Sequence, residues 1–383
     1  MEWTRGKPVG RGSFATVNLA IPTSDNSLQL VQVPQLMVVK SAVLSESSSL
    51  QVEKEILTHL RGCPQILPCF GDDLTVENGK QIYNIFLEYA SGGTLADLLK
   101  KSGGSLLESD VRRYTRSILR GLRFIHANGY VHCDIKLQNI LLCSSPDGSN
   151  EIKVADFGLA KKAAPGQEIR RTEGGAFGLR GTPLYMSPES IAHNEHEAPA
   201  DIWALGCAVS EMVMGKPAWK CGANTDVSAL LFRIGFGEEL PEIPGGLSAE
   251  GKDFLSKCLV RDPEQRWTAE MLLNHPFVAD EAVVLCEPDV PSPSPRSPFD
   301  FPEWSSSPRS SISNSESCTS SGASSSSSVL FSTRSEEQLD RRDSITSSLV
   351  NRIRHLVTGQ GANWSTSGSW ITVREAESSS VSR

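Results

Sequence analysis

Asp134, Lys136, Gln138 and Asn139 stand in the middle of a mostly apolar run, YVHCDIKLQNILLC, residues 130–143. Burying a carboxylate, an ammonium and an amide side by side is costly unless each finds a partner. The run itself offers none, so the partners must come from elsewhere in the chain or from a ligand. A second acid, Asp156, lies within the β-type run IKVADFGLA, residues 152–160. Taken singly, each stretch could also be a polar turn between two strands.

Two further features bear on phosphate chemistry. VGRGSFATV (9–17) sets Gly10 and Gly12 between two strand-like runs. A hairpin turn would use the same glycines. A strand on both sides also suits a flap over phosphates, whereas a dinucleotide fold should follow the glycines with a helix. Lys40 ends the apolar run MVVK and could simply snorkel to water. In the helical pattern SLQVEKEILTHL (49–60), however, Glu53 falls on the side of Leu50, Ile56, Leu57 and Leu60, and Glu55 falls opposite. A carboxylate on a buried face calls for a cation, and Lys40 is the natural one. The competing reading puts Glu53 at the stripe's edge, reaching solvent.

The elements that must position these residues divide into two groups. Short β-type runs, TVNLAI (16–21), LQLVQV (28–33), LMVVKSAV (36–43) and IYNIFLE (82–88), surround one helical pattern near 48–61. Beyond residue 95 the patterns are mainly helical, at 107–127, 200–214, 248–259 and 268–273. A small sheet-rich lobe before a larger helical one is an α+β arrangement with a cleft between them, joined by EYASGG, residues 88–93. From about residue 287 Ser and Pro dominate, and such a segment buries too little surface to order itself. Within it, Ile345, Leu349, Val350, Ile353, Leu356 and Val357 recur at helical spacing over 345–357, as a transient helix or a docking helix.

Composition narrows the class. The chain has 383 residues, 39% hydrophobic and 21% charged, with a formal charge of −8, which argues against a general nucleic-acid binder. Nine scattered cysteines without a C-x-x-C pair fit a reducing compartment, cytoplasm or nucleus. MEWTRGKPVGRG lacks the apolar core of a signal peptide. The most apolar stretch, 200–215, is interrupted by Asp201 and Glu211 and reads as a buried helix, so no membrane association is expected.

In chain order, the glycine flap, the lysine, the helix glutamate, H-x-D-x-K-x-x-N and D-F-G match the catalytic parts of a protein kinase. Residues 4–277 resemble a eukaryotic protein kinase throughout, with GTPLYMSPE (181–189), DIWALGC (201–207) and RDPEQRW (261–267) completing the set. Asp-Ile-Lys and Gly-Thr-Pro-x-Tyr resemble the Ser/Thr branch. GRGSFATVNLA, VHCDIKLQNILL and GTPLYMSPES are similar to a plant mitogen-activated protein kinase kinase kinase of the MEKK-like class. The resemblance implies the bilobal protein kinase fold over 1–280, with an N-lobe to about 87, a hinge at 88–93 and a C-lobe over 94–280. A Ser/Pro-rich regulatory tail, 281–383, follows.

It also implies ATP and Mg2+ as cofactors and a protein substrate, a MAP kinase kinase in a stress or hormone cascade. Lys40 would hold the α- and β-phosphates, positioned by Glu53, beneath the Gly10–Gly12 flap. Asn139 and Asp156 would hold the metal, Asp134 would accept the substrate hydroxyl proton, and Lys136 would sit beside the γ-phosphate. Adenine would lie among Val9, Val17, Val38 and Leu141, bonded to the backbone of Glu88 and Ala90, with Leu87 at the back. Thr182 would pack against Asp134 and Lys136, Asp201 would orient the catalytic-loop backbone, and Glu189 would pair with Arg266. His193 and His196, in HNEH, read as a solvated loop rather than a metal site.

Two positions depart from the pattern. Ala15 replaces the third flap glycine, with a small effect expected. Cys133 replaces the arginine that in the family pairs with a phosphorylated activation-loop residue, so this chain is expected to need no phosphate on Thr172. Ser292, Ser294, Ser297 and Ser307, each before proline, are candidate sites for proline-directed kinases, and Ser344 follows RRD. Two other readings compete: a Ser/Thr kinase of another pathway, and a pseudokinase scaffold. The intact set of Lys40, Glu53, Asp134, Asn139 and Asp156 weighs against the scaffold.

Overall fold

The computed structural model describes residues 2–12, 15–23, 36–144, 150–164, 179–220 and 226–279. The run 28–33, Thr172 and everything from residue 280, including the 345–357 pattern and the tail serines, lie outside the described residues.

Lys40 lies at the centre of a strand that has neighbours on both sides. The N-terminal sheet comprises β1 (Trp3–Arg11), β2 (Thr16–Pro22), β3 (Met37–Val43), β4 (Cys69–Glu77) and β5 (Lys80–Glu88), with α1 (Ser48–His59) between β3 and β4 in the chain. The strand order is β1-β2-β3-β5-β4, and Lys40 sits opposite Val17 of β2 and Ile85 of β5. A central strand is covered on both faces, so MVVKSAV is buried almost throughout and shows no alternation of apolar and polar residues. Side chains alternate across it. Met37 and Val39 join Ala20 and Phe86 in a small core capped by Trp3 and Phe70. Val38 and Ala42 face the main core with Leu50, Ile56 and Leu57 of α1, and the Lys40 side chain shares that face. The β1–β2 register shifts between Pro8 and Gly10, a bulge at the base of the glycine flap, and Gly12 N–H donates to Ala15 O at 2.8 Å across its mouth.

The second lobe follows through β6 (Gly93–Thr94), α2 (Leu95–Lys101), α3 (Glu108–Ala127), β7 (Tyr130–Val131), β8 (Ile140–Ser144), β9 (Asn150–Val154) and β10 (Lys161–Lys162). Helices α4 (Pro188–Ala192), α5 (Ala198–Met214), α6 (Val227–Phe236), α7 (Ala249–Cys258) and α8 (Ala269–Leu273) complete it. Helix α2 starts on a capping box, in which Thr94 and Asp97 satisfy each other's backbone N–H groups. Helix α5 is apolar on nearly every side and buried from Ala200 to Ser210, which suits the centre of a helical lobe. It stops at Gly215, whose φ of 70° is left-handed.

The expected bilobal α+β architecture is present, and the helices at 48–61, 107–127, 200–214, 248–259 and 268–273 form within a few residues of those bounds. Strand β4 gave no apolar run, because CFGDDLTVE lies at the sheet edge and is only half covered. Helices α2, α4 and α6 lie outside the helical ranges read from the sequence. The two- and three-stranded sheets β10-β7 and β6-β8-β9 sit inside the otherwise helical lobe. They hold the loops that carry the chemistry.

Candidate active site

Strand β3, helix α1 and the D-F-G turn bring three charges together. Lys40 Nζ lies 2.7 Å from Glu53 Oε2 and 3.0 Å from Asp156 Oδ1. Glu53 is buried with its side chain 1% exposed, while 30% of the Asp156 side chain is open. Burial works against the Lys40 charge, but Asp156 and then Glu53 outweigh it and hold the ammonium protonated beyond the ordinary lysine range. Asp156 is likewise pushed up by burial and brought back further by Lys40, ending below the usual carboxylate range. Burial leaves the Glu53 carboxyl above its usual range despite Lys40. The solvated reading of Glu53 is excluded, and its pairing with Lys40 holds.

The polar groups of the 130–143 run find their partners here. Asp134 Oδ1 accepts from Thr182 Oγ1 at 2.7 Å, and Oδ2 accepts from Asn139 Nδ2 at 3.0 Å and lies 2.7 Å from Lys136 Nζ. Lys136 Nζ also donates to Thr182 Oγ1 at 2.9 Å. A short 3-10 turn, Leu137–Asn139, returns the chain so that Asn139 also donates to Asp134 O at 2.9 Å. The Asn139 backbone accepts from Ala155 N, next to Asp156, at 2.9 Å.

Left-handed backbone occurs at both acidic loops, and Asn78 and Asn194 are the other described non-glycine residues that adopt it. Cys133 and Asp156 both have φ of 66°, a left-handed conformation that L residues hold only when their surroundings impose it. At Cys133 the cause is Asp201, buried in the first turn of α5, which accepts from His132 N and Cys133 N, both at 2.9 Å. Behind Asp156, Phe157 is fully buried and meets His132 edge-on at 4.8 Å, and His132 Nε2 lies 3.1 Å from Ala155 O. Gly181 approaches the same loop, and a Cβ there would stand 2.7 Å from Cys133 O. Cys133 itself is inert: burial, then Asp201, keeps its thiol protonated.

The apolar wall expected for adenine is contiguous. Val17, Val38 and Leu87 belong to the main core, and Val9, Ala90 and Leu141 pack against it half-buried. Gly10 pairs with Val17 in the β1–β2 hairpin, and Gly12 lies just beyond it. Glu88 ends β5, and its carboxylate lies 2.5 Å from Lys153 Nζ on β9. Asp134 also lines a small crevice with Thr182, Tyr185 and Met186.

The residues present fit a divalent cation. Asn139 Oδ1 is buried without a hydrogen-bond partner, and Asp156 supplies a low-pKa carboxylate. An unpartnered amide oxygen and a carboxylate are the hard oxygen donors that suit Mg2+, which keeps several waters.

Several further contacts join residues whose pairing the sequence does not signal. These include the Lys153–Glu88 pair, the Lys161–Glu197 pair at 2.6 Å, and the bond from Tyr185 to Glu211. Glu211 stands out as an acid in the apolar run 200–215, and Glu88 and Lys153 lie in β-type runs, but nothing in the sequence points from any of these residues to its partner. The staple between Glu189 and Arg266 was anticipated, and it is bidentate at 2.7 and 3.1 Å. His196 corrects an expectation. His193 is exposed as expected of a solvated loop, but His196 is 6% exposed, and its ring nitrogen lies 3.1 Å from Asn194 Oδ1. Burial, then Arg180 and Lys161, lowers its pKa to about 4.

Comparison with known proteins finds relatives of this sequence. The protein kinase domain family matches residues 3–278. Mitogen-activated protein kinase kinase kinase 20 of Arabidopsis thaliana is 45% identical over 384 residues, covering 98% of this chain and 100% of the relative. The Arabidopsis kinase kinase kinase 17 is 40% identical over 310 residues, 80% of this chain and 78% of that protein. The corresponding kinase 18 is 42% identical over 288 residues, 73% of this chain and 78% of the relative.

Proposed function

This chain belongs to the protein kinase family, and we propose that it works as a mitogen-activated protein kinase kinase kinase, phosphorylating Ser or Thr hydroxyls of MAP kinase kinases. The observation that carries the reading is the convergence of Lys40, Glu53 and Asp156 opposite the Asp134–Lys136–Thr182 cluster. One side has a cation held between two carboxylates. The other has a carboxylate whose oxygens are aimed by three donors.

The family uses ATP with a divalent metal, and Val9, Val17, Val38, Leu141 and the Glu88–Ala90 backbone would hold the base, with Gly10 and Gly12 over the phosphates. Asn139 Oδ1 and the Asp156 carboxylate would hold Mg2+, which neutralises phosphate charge when bound. Lys40, fixed by Glu53, supplies a permanent positive charge to the phosphates. Asp134 takes the proton of the acceptor hydroxyl as that oxygen receives the phosphoryl group. Lys136 and Thr182 keep the carboxylate turned toward the acceptor. A positioned base of this kind contributes roughly 10²–10⁴-fold, and the remaining acceleration comes from positioning and charge.

The pseudokinase reading has no support from the site, because no charged member of the set is missing or turned away. The test of the pathway is a panel of purified, catalytically inactive MAP kinase kinases incubated with the chain, ATP and Mg2+, with phosphosites mapped by mass spectrometry. Phosphate on activation-loop Ser or Thr of at least one member is expected. Labelling confined to unrelated proteins would point to another pathway.

A further inference from the structure

We propose that Glu197 is a positioning residue whose carboxylate anchors the strand β10 beside the catalytic loop in place of an added phosphate, so that phosphotransfer needs no modification of Thr172. Glu197 directly precedes α5 in extended conformation. Its carboxylate lies 2.6 Å from Lys161 Nζ and accepts from Ala164 N at 3.3 and 3.4 Å. One side chain thus holds both a cation and a backbone N–H of the same short segment.

That segment is tied to the chemistry by backbone bonds. Lys161 pairs with Val131, Lys162 with Tyr130, and Ala163 N donates to Gly129 O at 2.8 Å. Val131 leads directly into His132 and Asp134. The returning chain closes the same region, since Arg180 Nη1 donates to Leu159 O at 3.2 Å and Gly181 packs against Cys133 O. Lys161, Arg180, Glu197 and Asp201 are among the charges that act on Cys133. Asp201 is committed to His126 and to two backbone N–H groups, which leaves Glu197 as the carboxylate that meets Lys161. Cys133 brings no charge, and its thiol makes only a weak 3.7 Å contact with Val131 O. An isolated ion pair with side chains 26% and 33% exposed is weak. This one also holds a backbone donor, so losing it releases the strand end and not only a charge.

The sequence makes the alternative testable, because Thr172 is the only hydroxyl residue between Phe157 and Thr182. The full-length chain would be assayed as wild type, Thr172→Ala, Glu197→Gln and Glu197→Asp on a purified MAP kinase kinase, alongside hydrogen–deuterium exchange. Thr172→Ala is expected to keep kcat within about twofold. Glu197→Gln should lower kcat roughly three- to tenfold, the loss of about one hydrogen-bonded contact, with KM for ATP little changed. Glu197→Asp should recover part of that loss. Exchange protection should fall at Ala163 and Ala164 in Glu197→Gln while α5 stays protected. Full kcat and unchanged exchange in Glu197→Gln would overturn the proposal, as would deprotection spread through α5. So would a Thr172→Ala loss equal to or larger than that of Glu197→Gln. The proposal rests on the phosphotransfer reading only for its kcat arm. Exchange reports on the anchor even if the wild type transfers no phosphate, so the two failures are distinguishable.

Discussion

Thr182 stands 48 residues beyond Asp134 in the chain, yet its hydroxyl donates to the Asp134 carboxylate at 2.7 Å and accepts from Lys136 at 2.9 Å. The hydroxyl therefore sets the direction of both charged groups. Thr182→Ala should lower kcat by roughly fivefold to tenfold, the loss of about one charge-assisted bond, with KM for ATP unchanged. Thr182→Ser keeps the hydroxyl and should retain most of the activity. Steady-state kinetics of the two variants provides the check.

Glu53 separates stability from activity. Its carboxyl is held above the ordinary range by burial, so the folded state disfavours the charge that the unfolded chain carries freely at neutral pH. Glu53→Gln removes that cost and keeps the shape, while Asp156 at 3.0 Å still balances the Lys40 charge, so the melting temperature should change little. Lys40 then loses its partner at 2.7 Å, and kcat/KM should fall roughly 10- to 100-fold through misplacement. A large drop in melting temperature would contradict this account of the pair.

Gly181 is required twice over. Its φ of 107° is open to glycine, and an added Cβ would stand 2.7 Å from Cys133 O, a backbone atom that cannot swing away. Gly181→Ala should cost about 1–3 kcal/mol in urea unfolding and depress activity as well, because the clash displaces the residue next to Asp134.

Much of this site could be read from the sequence, for identifiable reasons. Glu53 lies on a helix with a clear apolar stripe, so its buried face could be assigned before any contact was known, and Lys40 followed as the cation that face calls for. Asp201 stood out as an acid in an apolar helix. Thr182 and the Glu189–Arg266 staple were legible only through the family resemblance, since no local pattern links positions so far apart. Lys153–Glu88 and Lys161–Glu197 were not legible, because surface-type charges pair by fold and not by period. Strand β4 was hidden by Asp72 and Asp73, which an edge strand can leave partly in solvent. His196 was misread because HNEH is polar throughout, whereas the fold buries a neutral imidazole there.

That imidazole gives a pH signature. A histidine whose folded pKa is about 4, below the ordinary 6.5, binds its proton more readily in the unfolded chain. Its stabilising contribution is complete above about pH 6.5 and is lost as pH falls toward 4. Between pH 7 and 5 the wild type should lose on the order of 1–2 kcal/mol from this group. His196→Gln should show a correspondingly shallower decline when urea unfolding is compared at the two pH values. Parallel declines would mean that the ring is not buried neutral.

Phosphoryl transfer by this set of charges is tested most directly with purified full-length chain, radiolabelled ATP, Mg2+ and a catalytically inactive MAP kinase kinase. Wild type should label Ser or Thr of the substrate, and Asp134→Asn should bind ATP equally well while labelling at least 100-fold less. Equal labelling by Asp134→Asn, or none by the folded wild type with any protein, would contradict the assignment of Asp134 as the base of an active kinase.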